Sequence, residues 1–479
     1  MDVGMVRPRM HALIFCLGIC LAVAPPAWAQ AQEPRPVSFG PDSRVGPDSS
    51  YLPTSPQEEP TIAVNPRNSD NLVAAFHDVF PGSVDFTCRF AHTLDGGNVW
   101  TVGGTTPGLQ PGEICSDPSL GADLKGNFYL GYIIVGSANR RVVVARSTDG
   151  GQSFPRFSIP FQQGTGIEFA DKPYLAADNQ PRSRFRGRVY LGWTLLKFVT
   201  GGQGRDSFEY RIVAQTSSDG GSTWSAPAQI SRTSIDPEVS QGSLPVVAPD
   251  GSAYIFYADS NRRTGVMSIR YSKSTDGGRS WGAPVEVAGG LPSPWFFTLR
   301  SVGSSSPGKG FRALSGPFAA ITPAGKIFVA WIDFPNGSCQ YSSSSLPVCT
   351  NSDLRMSVSG DGGLAWSAPV KVTNESGDSD QFFAWMAAHP DGLVSIAWAD
   401  RRLDPENVKF DIFYTNTADG NVFLSNTRIS SAASDAGSDG FIGDYNNLAA
   451  SASGVVAVWT DIRSGPPHSI FSATGTLLP

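Results

Sequence analysis

The chain has 479 residues with 52 glycines, 37 prolines, 11% aromatic and only 16% charged residues, and a formal charge of −6. An acidic balance argues against a nucleic-acid partner, which needs a basic face. Glycine, proline and aromatics at this density suit many short strands joined by tight turns, and no apolar run is long enough to cross a membrane as a helix.

Residues 1–29 read as a secretion signal: Arg7 and Arg9, an apolar stretch from Ala12 to Ala24, then Ala27-Trp28-Ala29 ahead of Gln30. Cys20 follows Ile19, where a lipoprotein signal needs a small residue, so a soluble secreted or periplasmic protein is expected. Cleavage removes Arg7, Arg9 and Asp2 and takes the formal charge from −6 to −7. Cys88, Cys115, Cys339 and Cys349 remain. An even count in an exported chain points to disulfides, with three connectivities open; Cys88–Cys115 and Cys339–Cys349 join the pairs nearest in sequence. No Cys-x-x-Cys spacing suggests a metal site.

From residue 57 onward a unit repeats. Two alternating runs, the second ending in an aromatic, precede a hairpin built on Asp-Gly. The aromatic recurs as Phe76, Tyr132, Trp193, Tyr257, Trp331, Trp398 and Trp459. The hairpins are Thr93 to Trp100, Ser147 to Phe154, Ser217 to Trp224, Ser274 to Trp281, Ser359 to Trp366 and a shortened copy at Thr417 to Phe423. Asp-Gly supplies the positive φ of a tight turn, and the Asp side chain can accept nearby amides. The pattern predicts an all-β chain of seven four-stranded units, a seven-bladed β-propeller filling 30–479 as one domain. The seventh unit ends one strand short, and an N-terminal segment such as Pro36 to Gly40 is expected to close it. A six-bladed ring is the alternative if the last unit is not a blade. The longest insertions, Gly289 to Ser315 and Lys197 to Glu209, are read as loops.

The Asp-Gly turns, with Ser or Thr two residues before and an aromatic after, resemble the Asp-box (BNR) repeat of sialidase-like propellers. The resemblance covers nearly all of the mature chain. It implies a propeller; for function it implies only a group that spans sialidases, other glycosidases, polysaccharide lyases and non-catalytic binding proteins. Asp95, Asp149, Asp219, Asp276 and Asp361 are then turn residues at the outer rim.

Positions that differ between repeats, and are polar, are candidates for a site. Aligning the inner strands on Asn65, Asp123, Asp178, Ala248, Thr322, His389 and Ser451 puts Glu59, Asp117, Lys172, Gly242, Gly316, Phe383 and Tyr445 in one column. The column before it holds Glu58, Ser116, Asp171, Gln241, Ser315, Phe382 and Asp444. These strand starts are expected to ring one mouth of the central channel. Gathered carboxylates suit glycoside hydrolysis. The stretch Asp444-Tyr445-Asn446-Asn447-Leu448 resembles the Tyr-containing stretch of sialidases. That implies Tyr445 as nucleophile, Glu59 as its activator and Asp117 or Asp171 as acid. Lys172, Asp444, Arg402 and Arg463 are the expected substrate-binding residues. The arginine that sialidases carry in an Arg-Ile-Pro stretch is replaced here by Glu59-Pro60-Thr61-Ile62, which puts sialic acid in question as the substrate. Asp78, Asp259, Asp333, Asp400 and Asp461 recur after the aromatic and read as structural. Histidines share no ligand spacing, and Asp404 and Glu406 read as a solvated loop, so neither cofactor nor metal is expected. The expectation is a monomeric, exported, sialidase-like exo-glycosidase acting on a glycan or glycoconjugate. A non-catalytic binding propeller, or a polysaccharide lyase with Tyr445 or Lys172 as base, is the alternative.

Overall fold

The computed structural model describes residues 1, 33–46, 56–79, 86–136, 140–164, 167–200, 206–300, 310–341, 346–437, 440–465 and 467–479; apart from Met1, the expected signal lies outside them. Among the described residues there is no helix, and hence none long and apolar enough to cross a membrane. The described strands form eight sheets. Seven are antiparallel meanders. Their first strands are Gln57–Asn65, Ile114–Ala122, Glu168–Ala177, Glu238–Val247, Phe318–Ile321, Gln381–Ala388 and Asn447–Ala450. Each of these inner strands touches the next, and Asn447–Ala450 touches Gln57–Asn65 again. The last sheet takes its fourth strand from Val37–Phe39, which pairs with Ser469–Leu477 through Val37↔Leu477 and Phe39↔Gly475. The recurring aromatics from Phe76 to Trp459 are all buried, because each caps a second strand between two sheets.

The Asp-Gly turns hold themselves and the neighbouring sheet. In the turn at 217–224, Ser217 Oγ donates to Asp219 Oδ1 (2.8 Å), and the amides of Ser222 and Thr223 donate to the same oxygen (3.1 and 2.9 Å). The Ser-to-Asp bond recurs at Asp149, Asp276 and Asp361. The second glycine lies against the preceding sheet: a Cβ on Gly151 would stand 2.0 Å from Val73, and one on Gly420, the single glycine of the shortened copy, 2.4 Å from Val358. In the first turn Gly97 meets Thr474 and Val456 of the last sheet. The aspartates after the aromatics are structural: Trp331, Trp398 and Trp459 donate their indole N–H to Asp333, Asp400 and Asp461.

Cys88–Cys115 joins the third strand of the first sheet to the inner strand of the second, and Cys339–Cys349 closes a hairpin. With its ends separated by 27 positions in sequence, loss of the first bridge in the double variant Cys88→Ser/Cys115→Ser is expected to cost roughly 3–4 kcal/mol. Denaturant unfolding monitored by tryptophan fluorescence measures this; a loss below about 1 kcal/mol would show that sheet packing alone joins the two sheets.

Two insertions differ from the loops expected. The hairpin around 197–209 is a continuation of its strands, Val189–Thr200 against Asp206–Ser217. The segment 289–315 contributes strands Phe296–Leu299 and Phe311–Leu314 to the eighth sheet, with Ser338–Gln340 and Val348–Thr350. Alternation explains why: Phe297, Phe311 and Ala313 face the core, while Phe296 and Arg312 take the opposite face. Trp295 is also buried, so of the aromatics at 295–297 only Phe296 is partly open.

Candidate active site

Most inner strands begin with a bulge. The ladder slips between Glu58 and Thr61, Ser116 and Ser119, Asp171 and Tyr174, Gln241 and Leu244, and Phe382 and Trp385. One residue in each slip has positive φ: Glu59 at 55°, Asp117 at 52°, Lys172 at 50°, Gly242 at 74° and Phe383 at 49°. Gly316, at 104°, holds the matching place in the fifth meander. Glycine meets this requirement without strain, whereas an L side chain in the left-handed region costs roughly 1–2 kcal/mol. Three consecutive sheets carry a charged residue there instead. Strain kept at charged positions points to a use for the side chains, and a bulge re-aims them out of strand alternation.

Those side chains meet in a cavity of about 290 Å³. Its wall includes Glu59, Asp117, Asp171, Lys172 and Asp444, with His77, Phe296, Arg312 and Phe441. Gly443 permits the arrangement: at φ 88°, a Cβ there would stand 2.9 Å from the Glu59 amide nitrogen. A larger polar groove of about 1020 Å³ runs past Asn374, Glu375, Asp378, Arg402 and Asp404. Arg402 and Glu375 pair there at 3.2 Å, and none of the strained strand starts lines it. The smaller cavity is therefore the candidate site.

Within it, the Asp117 amide donates to His77 Nε2 (2.8 Å), and the Lys172 amide donates to Asp117 Oδ2 (3.2 Å). The Glu59 and Asp117 carboxyls lie within 4.8 Å of each other, and the Asp444 amide donates to Glu59 Oε1 (3.2 Å). Burial pushes the Glu59 carboxyl well above its usual range, and the Asp117 charge pushes it further. Burial also works to raise Asp117, but the Lys172 ammonium outweighs it and holds Asp117 below the usual value. Burial keeps His77 neutral by lowering its pKa. Burial pushes Asp171 up to about 6, against the pull of Lys172. Burial opposes the charge on Lys172, yet Asp444 and Asp117 hold it well above the ordinary lysine value. The two neighbouring carboxyls are thus pushed in opposite directions, Glu59 up and Asp117 down. Donor atoms of Glu59, His77 and Asp117 lie within 4.8 Å of one another, close enough to hold a cation by distance alone. The Nε2 lone pair already faces an amide hydrogen and the Lys172 ammonium stands 3.9 Å from Asp117, which suits proton sharing rather than a metal centre.

Glu59, Asp117, Asp171, Lys172 and Asp444 thus lie together. Tyr445 does not line the cavity. It is buried behind the wall, its hydroxyl donates to the Pro118 carbonyl (3.1 Å), and burial holds the phenol well above its ordinary range. Arg402 and Arg463 also lie away from the cavity. The structural aspartates capture them: Arg402 pairs with Asp400 (2.6 Å), and Arg463 with Asp461 (2.7 Å) and Asp42 (2.6 Å). The cation that enters instead is Arg312. Sequence reasoning also passed over His77. One signal was present: the residue after the recurring aromatic is Ile133, Thr194, Ala258, Ile332, Ala399 or Thr460 in the other repeats, so a histidine there departs from them. Arg312, Phe296 and Phe441 lie outside the repeat, where no alignment of units could mark them.

No family model matches the chain, and no curated protein does. Solved structures do resemble it. A Dyadobacter fermentans protein of unknown function aligns at 14% identity over 77% of this chain and 96% of that one, with a TM-score of 0.49. A Penicillium chrysogenum α-L-arabinanase complexed with arabinobiose aligns at 13% identity over 92% and 98%, with a TM-score of 0.41. A sialidase from Streptococcus pneumoniae aligns at 8% identity over 92% and 99%, with a TM-score of 0.47.

Proposed function

We propose that this chain is an exported glycan-active enzyme, a glycoside hydrolase on a seven-bladed, sialidase-like β-propeller whose last blade is completed by the N-terminal strand. The cyclic contacts of the inner strands and the pairing of Val37–Phe39 with Ser469–Leu477 support the ring. One observation carries the chemistry: Glu59 and Asp117 sit in contact with their proton affinities driven apart, in a cavity large enough for a sugar ring. Paired titrating groups pushed in opposite directions are how a site holds an acid and an anion at one pH.

In this reading Glu59 protonates the leaving glycosidic oxygen. Asp117 and the neutral His77 keep that proton in place. Asp171, two sheets further round, is the carboxylate that activates water or attacks the anomeric carbon. Tyr445 stays a protonated phenol and holds the Pro118 carbonyl and the Lys172 chain, rather than serving as the nucleophile of a sialidase-type mechanism.

A screen against aryl glycosides and natural glycans tests the reading. Reducing-end release supports it. A product with unsaturated-sugar absorbance in the ultraviolet would assign a lyase instead, and saturable binding without any product would assign a binding propeller. The pH profile is a second check. Asp171 must be ionised, so kcat/KM is expected to fall as pH drops through about 6. A profile that stays level there would remove Asp171 from the role.

A further inference from the structure

The charges of this cavity are arranged so that its cations are already occupied. Among the described residues lining it, the cationic side chains are Lys172 and Arg312. Both are bound to one carboxylate. Asp444 Oδ2 accepts from Lys172 Nζ (2.6 Å) and from Arg312 Nη2 (2.6 Å), and Asp444 Oδ1 accepts from Arg312 Nε (2.7 Å). A two-pronged pair of this kind is among the stronger hydrogen-bonded contacts a protein makes. Asp444 is 1% exposed and fixed by its own amide on Glu59. The flat faces of the Arg312 guanidinium are covered as well, by Phe296 at 4.6 Å and Phe441 at 4.7 Å. The other ionisable groups of the wall besides His77 are the carboxyls of Glu59, Asp117 and Asp171, whose oxygens accept hydrogen bonds and, where ionised, repel anions.

We propose that the cavity takes a glycan without carboxylate or sulfate groups, and that Asp444 decides this by holding Lys172 and Arg312 away from any incoming anion. The proposal rests on the reading of the cavity as a glycan site. Sugar hydroxyls donate to these carboxyl oxygens, and Phe296 and Phe441 line the same cavity. An acidic sugar would have to displace Asp444 from both cations and leave that carboxylate buried and unpaired, a costly exchange.

Calorimetric titration of the full-length protein at neutral pH tests this with three probe sets: arabino- and galacto-oligosaccharides, chitosan oligosaccharides, and the acidic pair sialyllactose and oligogalacturonate. The expected result is binding confined to the non-acidic sets. Asp444→Asn frees both cations and is expected to gain at least about tenfold in affinity for the acidic probes, one decade of K for about 1.4 kcal/mol. Arg312→Met removes one cation and is expected to show no such gain. Wild-type protein that binds the acidic probes as tightly as the others overturns the proposal while leaving a glycan site. Wild-type protein that binds no sugar of any set removes the glycan reading, and the proposal with it. The wild-type titrations decide even if Asp444→Asn fails to fold.

Discussion

Replacing Glu59 by Gln is expected to lower turnover by about a hundred- to ten-thousand-fold, the usual share of a positioned general acid. Gln keeps the shape and can still accept the Asp444 amide, but it has no acidic proton to give. KM should change little, since the group acts on the leaving oxygen. The same variant carries a stability signature. The folded Glu59 carboxyl binds its proton more tightly than the unfolded chain does, whose value lies near 4.5. Its contribution is therefore complete below about 4.5 and is lost as pH rises from there through the raised folded value. Glu59→Gln removes that loss. Relative to wild type, the variant should become more stable as pH rises above 4.5, by up to about 1.4 kcal/mol per pH unit within the window. Unfolding midpoints measured across pH decide it. An inactive variant whose relative stability does not change with pH would mean that Glu59 is ionised in the fold and does not act as the acid.

Arg401→Leu is expected to be the most damaging single change to the fold. Arg401 is a fully buried arginine, 3.2 Å from Asp380, donating to the carbonyls of Asn407 (2.9 Å) and Arg300 (2.6 Å) and lying over Phe311 and Phe382. It ties the sixth meander to the strand that carries Arg312. Leucine fills part of the volume but leaves the Asp380 charge and two carbonyls without their cation. Loss of one partner of a buried pair costs about 3–5 kcal/mol. Chemical unfolding of Arg401→Leu measures the loss. A double variant with Asp380→Asn should recover part of it, because no charge is then stranded. A loss under about 1 kcal/mol in Arg401→Leu alone would show that water reaches Asp380 and that the anchor is not needed.

The repeat was legible because its parts are local. Asp-Gly turns, the aromatic at the end of each second strand and the alternation of each run act over a few residues, so counting them located the strands. The column of Glu59, Asp117 and Lys172 was legible for the same reason: a bulge at a fixed distance from each turn brings each to positive φ. The insertion was not legible. Its strands pair at long range, Thr298 with Arg312 and Thr298 with Val348, and irregular spacing hides such pairing. Arg402 and Arg463 were misplaced because proximity in sequence to the strand ends says nothing of which carboxylate captures them.

By itself, then, the amino-acid sequence determined the strand repeat, the turns and which positions along each inner strand were released to carry charge, since these depend on neighbours in the chain. Only the tertiary structure decided which charges meet. Lys172, Arg312 and Asp444 are brought together from three distant segments, and His77 joins Glu59 and Asp117 across two sheets. Burial and the distances between charges set proton affinity and ion pairing, and both exist only once the sheets have packed around the cavity.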